Sequence, residues 1–194
     1  MDVPEYKFVL HEDGTGTYTA SALELAARQD SSYAQQVAVR PLTQFSASYK
    51  LPAKLVGTLF SQVRAANLAA GDCASKAKNL ANTGTKTLLY TGSKGTGQCI
   101  FNYTQNKSVA SAAETFQAMS FTLNAGRVLA HDEIYDRLGL DHEMNTLVEA
   151  LKDGRAQVPG LIAPELTLLI SNDQVMDRVR RNAAILLDKA SAER

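Results

Sequence analysis

The sequence predicts an α+β protein in which an N-terminal antiparallel β-sheet with one packed helix, residues 1–106, precedes an all-helical part, residues 107–194. Three observations predict this order. The first half contains short runs in which apolar and polar residues alternate, as in half-buried strands. One stretch of that half instead has apolar residues at helical spacing behind a proline. After residue 105 the apolar residues recur only at helical spacing, so we expect helices packed on the sheet or appended to it.

The chain opens with a predicted β-hairpin. Tyr6, Phe8 and Leu10 share one face of an alternating run, which indicates a half-buried strand. The dipeptide Asp13-Gly14 then supplies turn chemistry, and a β-prone run resumes at Thr17. We therefore expect two antiparallel strands that are joined by a tight turn.

Two further elements follow the hairpin. A strand pattern returns between residues 37 and 50, although Pro41 cannot donate a ladder hydrogen bond and marks a break or an edge position. A helix is predicted over residues 52–67, because Pro52 suits a first helical turn and apolar residues follow at helical spacing. Residues 22–34 fit either a short helix or a loop.

A second pair of strands is predicted before the helical part begins. Residues 86–91 and 98–104 have strand composition, and a glycine-rich loop at residues 92–97 joins them. Cys99 and Phe101 lie on the same face of the second strand, so the cysteine is expected to point into the core.

The helical part is predicted to contain five helices. Gly139 and Asp153-Gly154 are typical stop signals, and Asp141 is a candidate N-cap. The helices are expected at Ser108–Ala125, at His131–Leu138, at residues 141–153, at Pro164–Ile170 and from Asn172 onward.

Composition makes several classes of protein improbable. Lys plus Arg and Asp plus Glu each total 20, so the formal net charge is zero, and we predict no nucleic-acid partner. A local basic patch at Lys76, Lys78, Lys86 and Lys94 is the alternative to solvated lysines around loops. No apolar run approaches the roughly 18 residues that a membrane-spanning helix needs, so no transmembrane segment is expected.

The two cysteines, Cys73 and Cys99, leave two interpretations open. Two thiols are too few for a closed structural zinc site, and their spacing is not that of a CxxC redox motif. They form either a disulfide or a pair of buried free thiols. A disulfide would close a loop of about 25 residues, stabilise the fold by about 3 kcal/mol and indicate an oxidising compartment.

Motifs for catalysis or cofactor binding do not occur. A GxSxG nucleophile elbow is missing, and the loop Gly92–Gly97 is followed by a strand rather than by the helix of a P-loop. We therefore predict no catalytic residue and no cofactor.

The densest polar cluster extends from His131 to Glu143. Within it, His131, Asp141 and His142 are weak candidates for metal ligands, although the spacing matches no HExxH motif. The alternative is that its acidic residues complement helix dipoles and that Glu133 pairs with Arg137 one turn later.

A resemblance to other proteins rests on four segments, Tyr6–Tyr18, Gly84–Tyr90, Cys99–Tyr103 and Tyr135–His142. They are similar to segments in a group of uncharacterised bacterial proteins that are secreted or associated with the cell envelope. The resemblance implies export and a disulfide, and it carries over no site residue. The first residues lack the basic start and apolar stretch of a secretion signal, so we expect a signal segment outside this sequence.

These observations favour a non-enzymatic periplasmic, envelope-associated or secreted module that binds a protein or a small ligand. The alternative is a metal-dependent protein or enzyme that uses the cluster from His131 to Glu143. A third hypothesis is a scaffolding role of the helical part. A contiguous exposed apolar patch would favour the binding module, whereas convergence of His131 and His142 with a carboxylate would favour the metal site.

Overall fold

The first sheet has three antiparallel strands. The computed structural model describes residues 4–21, 43–68, 73–75, 84–92 and 95–192. Strands β1 (Tyr6–Leu10), β2 (Thr15–Ala20) and β3 (Phe45–Lys50) pair in that order. The predicted hairpin is confirmed, and its turn places Gly14 at a φ of 85°, a conformation that residues with a side chain rarely adopt. Three expectations concern residues outside the described part of the chain. They are the helix or loop at residues 22–34, the break at Pro41 and most of the basic patch, namely Lys76, Lys78 and Lys94.

Gly16 and Tyr49 are in close contact across this sheet. They are directly opposite each other on β2 and β3, and the phenol of Tyr49 lies over the glycine. A Cβ atom at Gly16 would lie 2.6 Å from Cζ of Tyr49 and 2.2 Å from the carbonyl oxygen of Val9. The Tyr49 hydroxyl donates a hydrogen bond of 2.8 Å to that same oxygen, so one side chain spans all three strands.

Helix α1 (Ala53–Ala65) follows the sheet and packs against the long helix α2 described below. Its buried residues Val56, Leu59 and Val63 recur at helical spacing, so the helix predicted over residues 52–67 is confirmed. Strands β4 (Lys86–Gly92) and β5 (Gly95–Phe101) then pair as a separate two-stranded antiparallel sheet. Cys99 of β5 is buried, as its position beside Phe101 predicts.

Helix α2 (Lys107–Tyr135) is one continuous helix of 29 residues, so the prediction of separate helices at Ser108–Ala125 and His131–Leu138 is wrong. α2 begins at Lys107, close to the point where the sequence changes from strand alternation to helical spacing. Asn106 is its N-cap, and the Asn106 side chain accepts hydrogen bonds from the Ser108 and Val109 amides at 3.1 and 3.3 Å. Gly126, which directly follows the predicted end at Ala125, lies inside α2, where the side chain of Ile162 packs against the helix. Tertiary packing buries every residue from 118 to 129, so it covers the position at which the sequence predicts a break.

Three further α-helices complete the chain: α3 (Leu140–Asp153), α4 (Ala163–Ser171) and α5 (Asp177–Ala192), with a 3₁₀ helix at Pro159–Ile162. The helices predicted at residues 141–153 and Pro164–Ile170 are confirmed, but Asp141 lies inside the first turn of α3 and the N-cap is Gly139. The last helix begins after the predicted Asn172, because the Asn172 side chain accepts a hydrogen bond of 2.9 Å from the Gln174 amide and forms a turn.

The middle of α2 is the centre of the molecule. Every residue from 118 to 129 is buried, so this stretch is covered on all sides. The first sheet and α1 pack on one side of α2, and α3, α4 and the 3₁₀ helix pack on others. One hydrophobic core therefore includes residues of both halves of the chain, such as Tyr18 and Leu129. The division into domains at residue 106 stays a prediction.

Candidate functional site

A buried polar network joins the first sheet to α2. The Tyr18 hydroxyl lies 2.9 Å from Oγ of Ser120 and accepts a hydrogen bond of 2.9 Å from Nδ2 of Asn124. Arg127 donates to Oδ1 of Asn124 and to the Thr43 carbonyl, both at 2.7 Å. Burial raises the pKa of Tyr18 and lowers that of Arg127.

This network has a structural role. Tyr18, Ser120 and Asn124 are fully buried, and none of them lines either of the two grooves described below. This network was not predicted from the sequence. The spacing of Ser120, Asn124 and Arg127 could have indicated it, because this spacing places three polar residues on one face of a mostly apolar stretch of helix.

The predicted cluster between His131 and Glu143 does not converge on one point. Nδ1 of His131 lies 3.0 Å from Oδ1 of Asp132, and its ring packs against Tyr135 with the ring centroids 4.9 Å apart. Asp141 instead accepts a hydrogen bond of 2.6 Å from Nε of Arg178, which belongs to α5. His142 is exposed on α3.

Over the part of the chain that the structure describes, no group of three or more His, Cys, Asp or Glu side chains lies close enough to hold a metal ion. The three candidate ligands, His131, Asp141 and His142, are therefore not brought together as the metal hypothesis requires. These residues are close in the sequence but do not converge in the fold. Asp141 follows the turn between α2 and α3, and its side chain pairs with Arg178 of α5.

Cys73 and Cys99 are joined by a disulfide, which ties the segment after α1 to β5. Two hydrogen bonds hold the same segment. Oγ1 of Thr104 donates to the Cys73 carbonyl, and the Ser75 amide donates to the Tyr103 carbonyl at 2.8 Å. Cys99 is 1% exposed and Cys73 is 9% exposed, so the bridge is largely shielded from thiols in solution. We therefore assign the disulfide a structural role.

Two shallow grooves open on the described surface. One, of about 240 Å³, lies between the β1–β2 turn and α1. The other, of about 180 Å³, lies between the end of β5 and the first half of α2. Both are smaller than the roughly 300 Å³ at which sites for drug-sized ligands begin.

The far end of the helical part exposes a group of large apolar side chains, which we call the apolar end surface. Its members lie at the end of α2, in the turn after it, on α4 and just before α5: Ile134, Tyr135, Leu138, Leu168 and Met176. Leu138 is 87% exposed, and Ile134 and Leu168 are each 63% exposed.

Two contacts between helices place the elements that carry these residues beside one another. The Glu133 carboxylate accepts a hydrogen bond from the Asn172 side chain, so the end of α2 lies against the end of α4. Leu168 precedes Asn172 by one helical turn, and Ile134 adjoins Glu133. The pair of Asp141 and Arg178 holds α3 and α5 together beside them. The arrangement offers contact area for another apolar surface.

The fold and these sites define an α+β protein with a central buried helix, a disulfide-linked hairpin and an apolar end surface. No protein-family model, no curated protein and no solved structure matches the chain. Among the helices of the described residues, none is both long enough and apolar enough to cross a membrane.

Proposed function

We propose that this protein is a non-enzymatic, secreted or envelope-associated interaction module that binds a protein through the apolar end surface. The observation that carries the proposal is the high exposure of Ile134, Leu138 and Leu168, which lie on or next to elements that meet at the contact between Glu133 and Asn172. Large contiguous apolar patches are uncommon on monomeric proteins and mark interaction sites. Burial of one leucine side chain contributes about 1.5–3 kcal/mol.

The partner that the rim of this surface favours is a second copy of the chain. Both charge signs occur beside the apolar residues, with Asp136 next to Arg137 and Asp141 paired with Arg178. A twofold interface places each patch against itself, so a rim of mixed sign is self-complementary. The formal net charge of zero removes long-range repulsion between two copies.

Export to an oxidising compartment is part of the proposal. The disulfide between Cys73 and Cys99 supports it, because the cytosol of most organisms keeps protein thiols reduced. The resemblance to envelope-associated and secreted bacterial proteins that the sequence suggests implies the same location.

The test is the oligomeric state of purified protein, measured by sedimentation velocity and light scattering up to millimolar concentration. We expect a concentration-dependent dimer that Leu138→Asp and Ile134→Asp both abolish, because each places a charge in the centre of the contact. Ile185→Asp is the matched control, since Ile185 is also 63% exposed but lies on α5 away from the apolar end surface.

Two results would contradict the proposal. A wild-type protein that stays monomeric over the whole concentration range has no interface with a second copy. A dimer that Ile185→Asp weakens as much as Leu138→Asp does not use the apolar end surface. Circular dichroism of each variant verifies that the helices are intact.

A further inference from the structure

The groove between the β1–β2 turn and α1 has features that its own folding does not explain. It is lined by uncharged residues of α1, which we call its floor, and by three charged residues, which we call its rim. The floor residues are Ala53, Val56, Gly57 and Phe60, and the rim residues are Glu12, Asp13 and Arg64. The volume of about 240 Å³ suits a single long side chain better than a drug-sized molecule.

Gly57 is the first of these features. Glycine inside a helix costs about 0.5–1 kcal/mol relative to alanine, so its presence needs a reason. Gly57 lies in the middle of α1, and a Cβ atom built there would meet no atom within 4 Å. Neither close packing nor a left-handed backbone requires it, because Gly57 is not among the residues with positive φ. Its missing side chain keeps the floor of the groove open.

Asp13 at the rim is the second feature. Both hydrogen bonds that its carboxylate accepts come from Thr15, at 2.9 and 2.7 Å, and both end on Oδ1. Oδ2 accepts none from the described residues. These two bonds hold the pKa of Asp13 below its usual value, with smaller contributions from the charges of His11 and Lys50, so the carboxylate is ionised at neutral pH.

Arg64, the cation of the groove, already has partners. Its guanidinium pairs with the Glu12 carboxylate, donates to the Tyr90 hydroxyl at 3.4 Å and lies 5.5 Å from the centre of the Phe60 ring. The rim thus has two carboxylates and one guanidinium, and the guanidinium is already paired with the Glu12 carboxylate. Among the residues that line the groove this leaves one negative charge, on Asp13, which favours a cationic ligand. Lys50, whose positive charge also acts on Asp13, does not line the groove.

We propose that this groove binds the side chain of a lysine in a protein or peptide partner. The aliphatic stem lies over Gly57 between Val56 and Phe60, and the ammonium group reaches Oδ2 of Asp13. A lysine combines an apolar stem with a compact cation, which matches an apolar floor beside one carboxylate oxygen. The groove lies on α1 and the first sheet, so this inference is independent of the apolar end surface.

The test uses Nα-acetyl-lysine methylamide as the probe and amide chemical shifts of the full-length protein as the readout. We expect saturable shifts at Gly57 and Asp13. The matching norleucine compound, which lacks the ammonium group, is the ligand control, and we expect about tenfold weaker binding from it, as for loss of one charge-assisted hydrogen bond.

Two variants locate the binding. Gly57→Leu fills the floor and is expected to abolish the shifts, whereas Thr58→Leu, at the neighbouring exposed position of the same helix, leaves them unchanged. Asp13→Asn keeps an oxygen for Thr15 but removes the charge, and it is expected to weaken binding about tenfold. Any of three results would overturn the proposal. The lysine and norleucine compounds bind equally well, the Gly57→Leu variant binds the lysine compound as well as the wild-type protein does, or the Gly57 and Asp13 amides show no shift up to the solubility of the probe.

Discussion

At the scale of single residues, the polar contacts that organise this molecule join positions far apart in the sequence. Arg127 on α2 donates to the carbonyl of Thr43, and Asn124 donates to the hydroxyl of Tyr18. A periodic pattern shows that Asn124 and Arg127 lie on one helical face, but it does not show which element supplies their partners. For the same physical reason, the neighbourhood of His131, Asp141 and His142 in the sequence did not predict the contact between Asp141 and Arg178.

The Tyr49 hydroxyl is expected to stabilise the sheet. In Tyr49→Phe the ring still covers Gly16, but the Val9 carbonyl loses its 2.8 Å hydrogen bond. We expect the free energy of unfolding, measured by urea denaturation, to fall by about 0.5–1.5 kcal/mol. Tyr103→Phe is the control, because Tyr103 is exposed, and it should change stability much less. Equal effects of the two substitutions would show that the contact to Val9 contributes nothing.

Alkaline pH is expected to destabilise the fold through the same residue. Burial raises the pKa of Tyr49 to about 12 from an ordinary value of 10. Between these two values the unfolded chain releases a proton that the folded chain keeps, so stability is intact below pH 10 and declines as pH rises toward 12.

Urea denaturation at a series of alkaline pH values measures this decline. Tyr6, whose pKa burial also raises to about 12, contributes in the same direction. Tyr49→Phe should therefore flatten the decline by up to about 2 kcal/mol without removing it. A variant that loses stability between pH 10 and 12 as steeply as the wild-type protein would contradict the shifted pKa of Tyr49.

At the scale of elements, the sequence predicted best those boundaries that local chemistry sets. The turn at Asp13-Gly14, the start of α1 behind Pro52 and the end of α3 before Gly154 all follow from backbone preferences of a few residues. The predicted boundaries were wrong where tertiary contacts determine how far a helix extends. Nothing in the residues around Gly126 shows that Ile162 will pack there and that α2 continues through it.

Gly57 in α1 and Gly126 in α2 are expected to respond oppositely to substitution by alanine. Gly57→Ala meets no atom within 4 Å and should raise the free energy of unfolding by about 0.5–1 kcal/mol. Gly126→Ala would bring a Cβ atom within 2.4 Å of Cγ2 of Ile162 and should lower it by about 1–3 kcal/mol.

Urea denaturation of both variants tests this difference. Ile162→Ala added to Gly126→Ala removes the closest atom, Cγ2, and leaves only Cβ at 3.0 Å, so it relieves most of the clash and serves as the control. The two changes should therefore be non-additive in a double-mutant cycle. Two stabilising alanine substitutions would show that the contact between α2 and the 3₁₀ helix tolerates a side chain.

At the scale of the whole molecule, the buried stretch of α2 makes the two halves of the chain share a core. We therefore expect one cooperative unfolding transition. All tyrosines except Tyr135 precede residue 107, whereas most helical residues follow it, so tyrosine fluorescence and far-ultraviolet circular dichroism report mainly on different halves. Coincident urea transitions from the two probes would support the shared core. Separate transitions would show that residues 1–106 and 107–194 unfold independently.

The disulfide is expected to stabilise this shared core and to resist reduction until the protein unfolds. Its two cysteines are 26 residues apart in the sequence, so the double variant Cys73→Ala and Cys99→Ala should lose about 3 kcal/mol of unfolding free energy. Because Cys99 is 1% exposed, a reductant should leave the bridge intact in the folded protein and open it in urea.

Thiol release followed by mass spectrometry then reports on unfolding. The Tyr49→Phe variant, which loses a hydrogen bond distant in the sequence from either cysteine, should release its thiols faster in proportion to its lower stability. Rapid reduction of the wild-type protein without urea would instead show that the hairpin formed by β4 and β5 opens on its own. In that case the bridge would be accessible for thiol exchange, and its role would not be confined to stability.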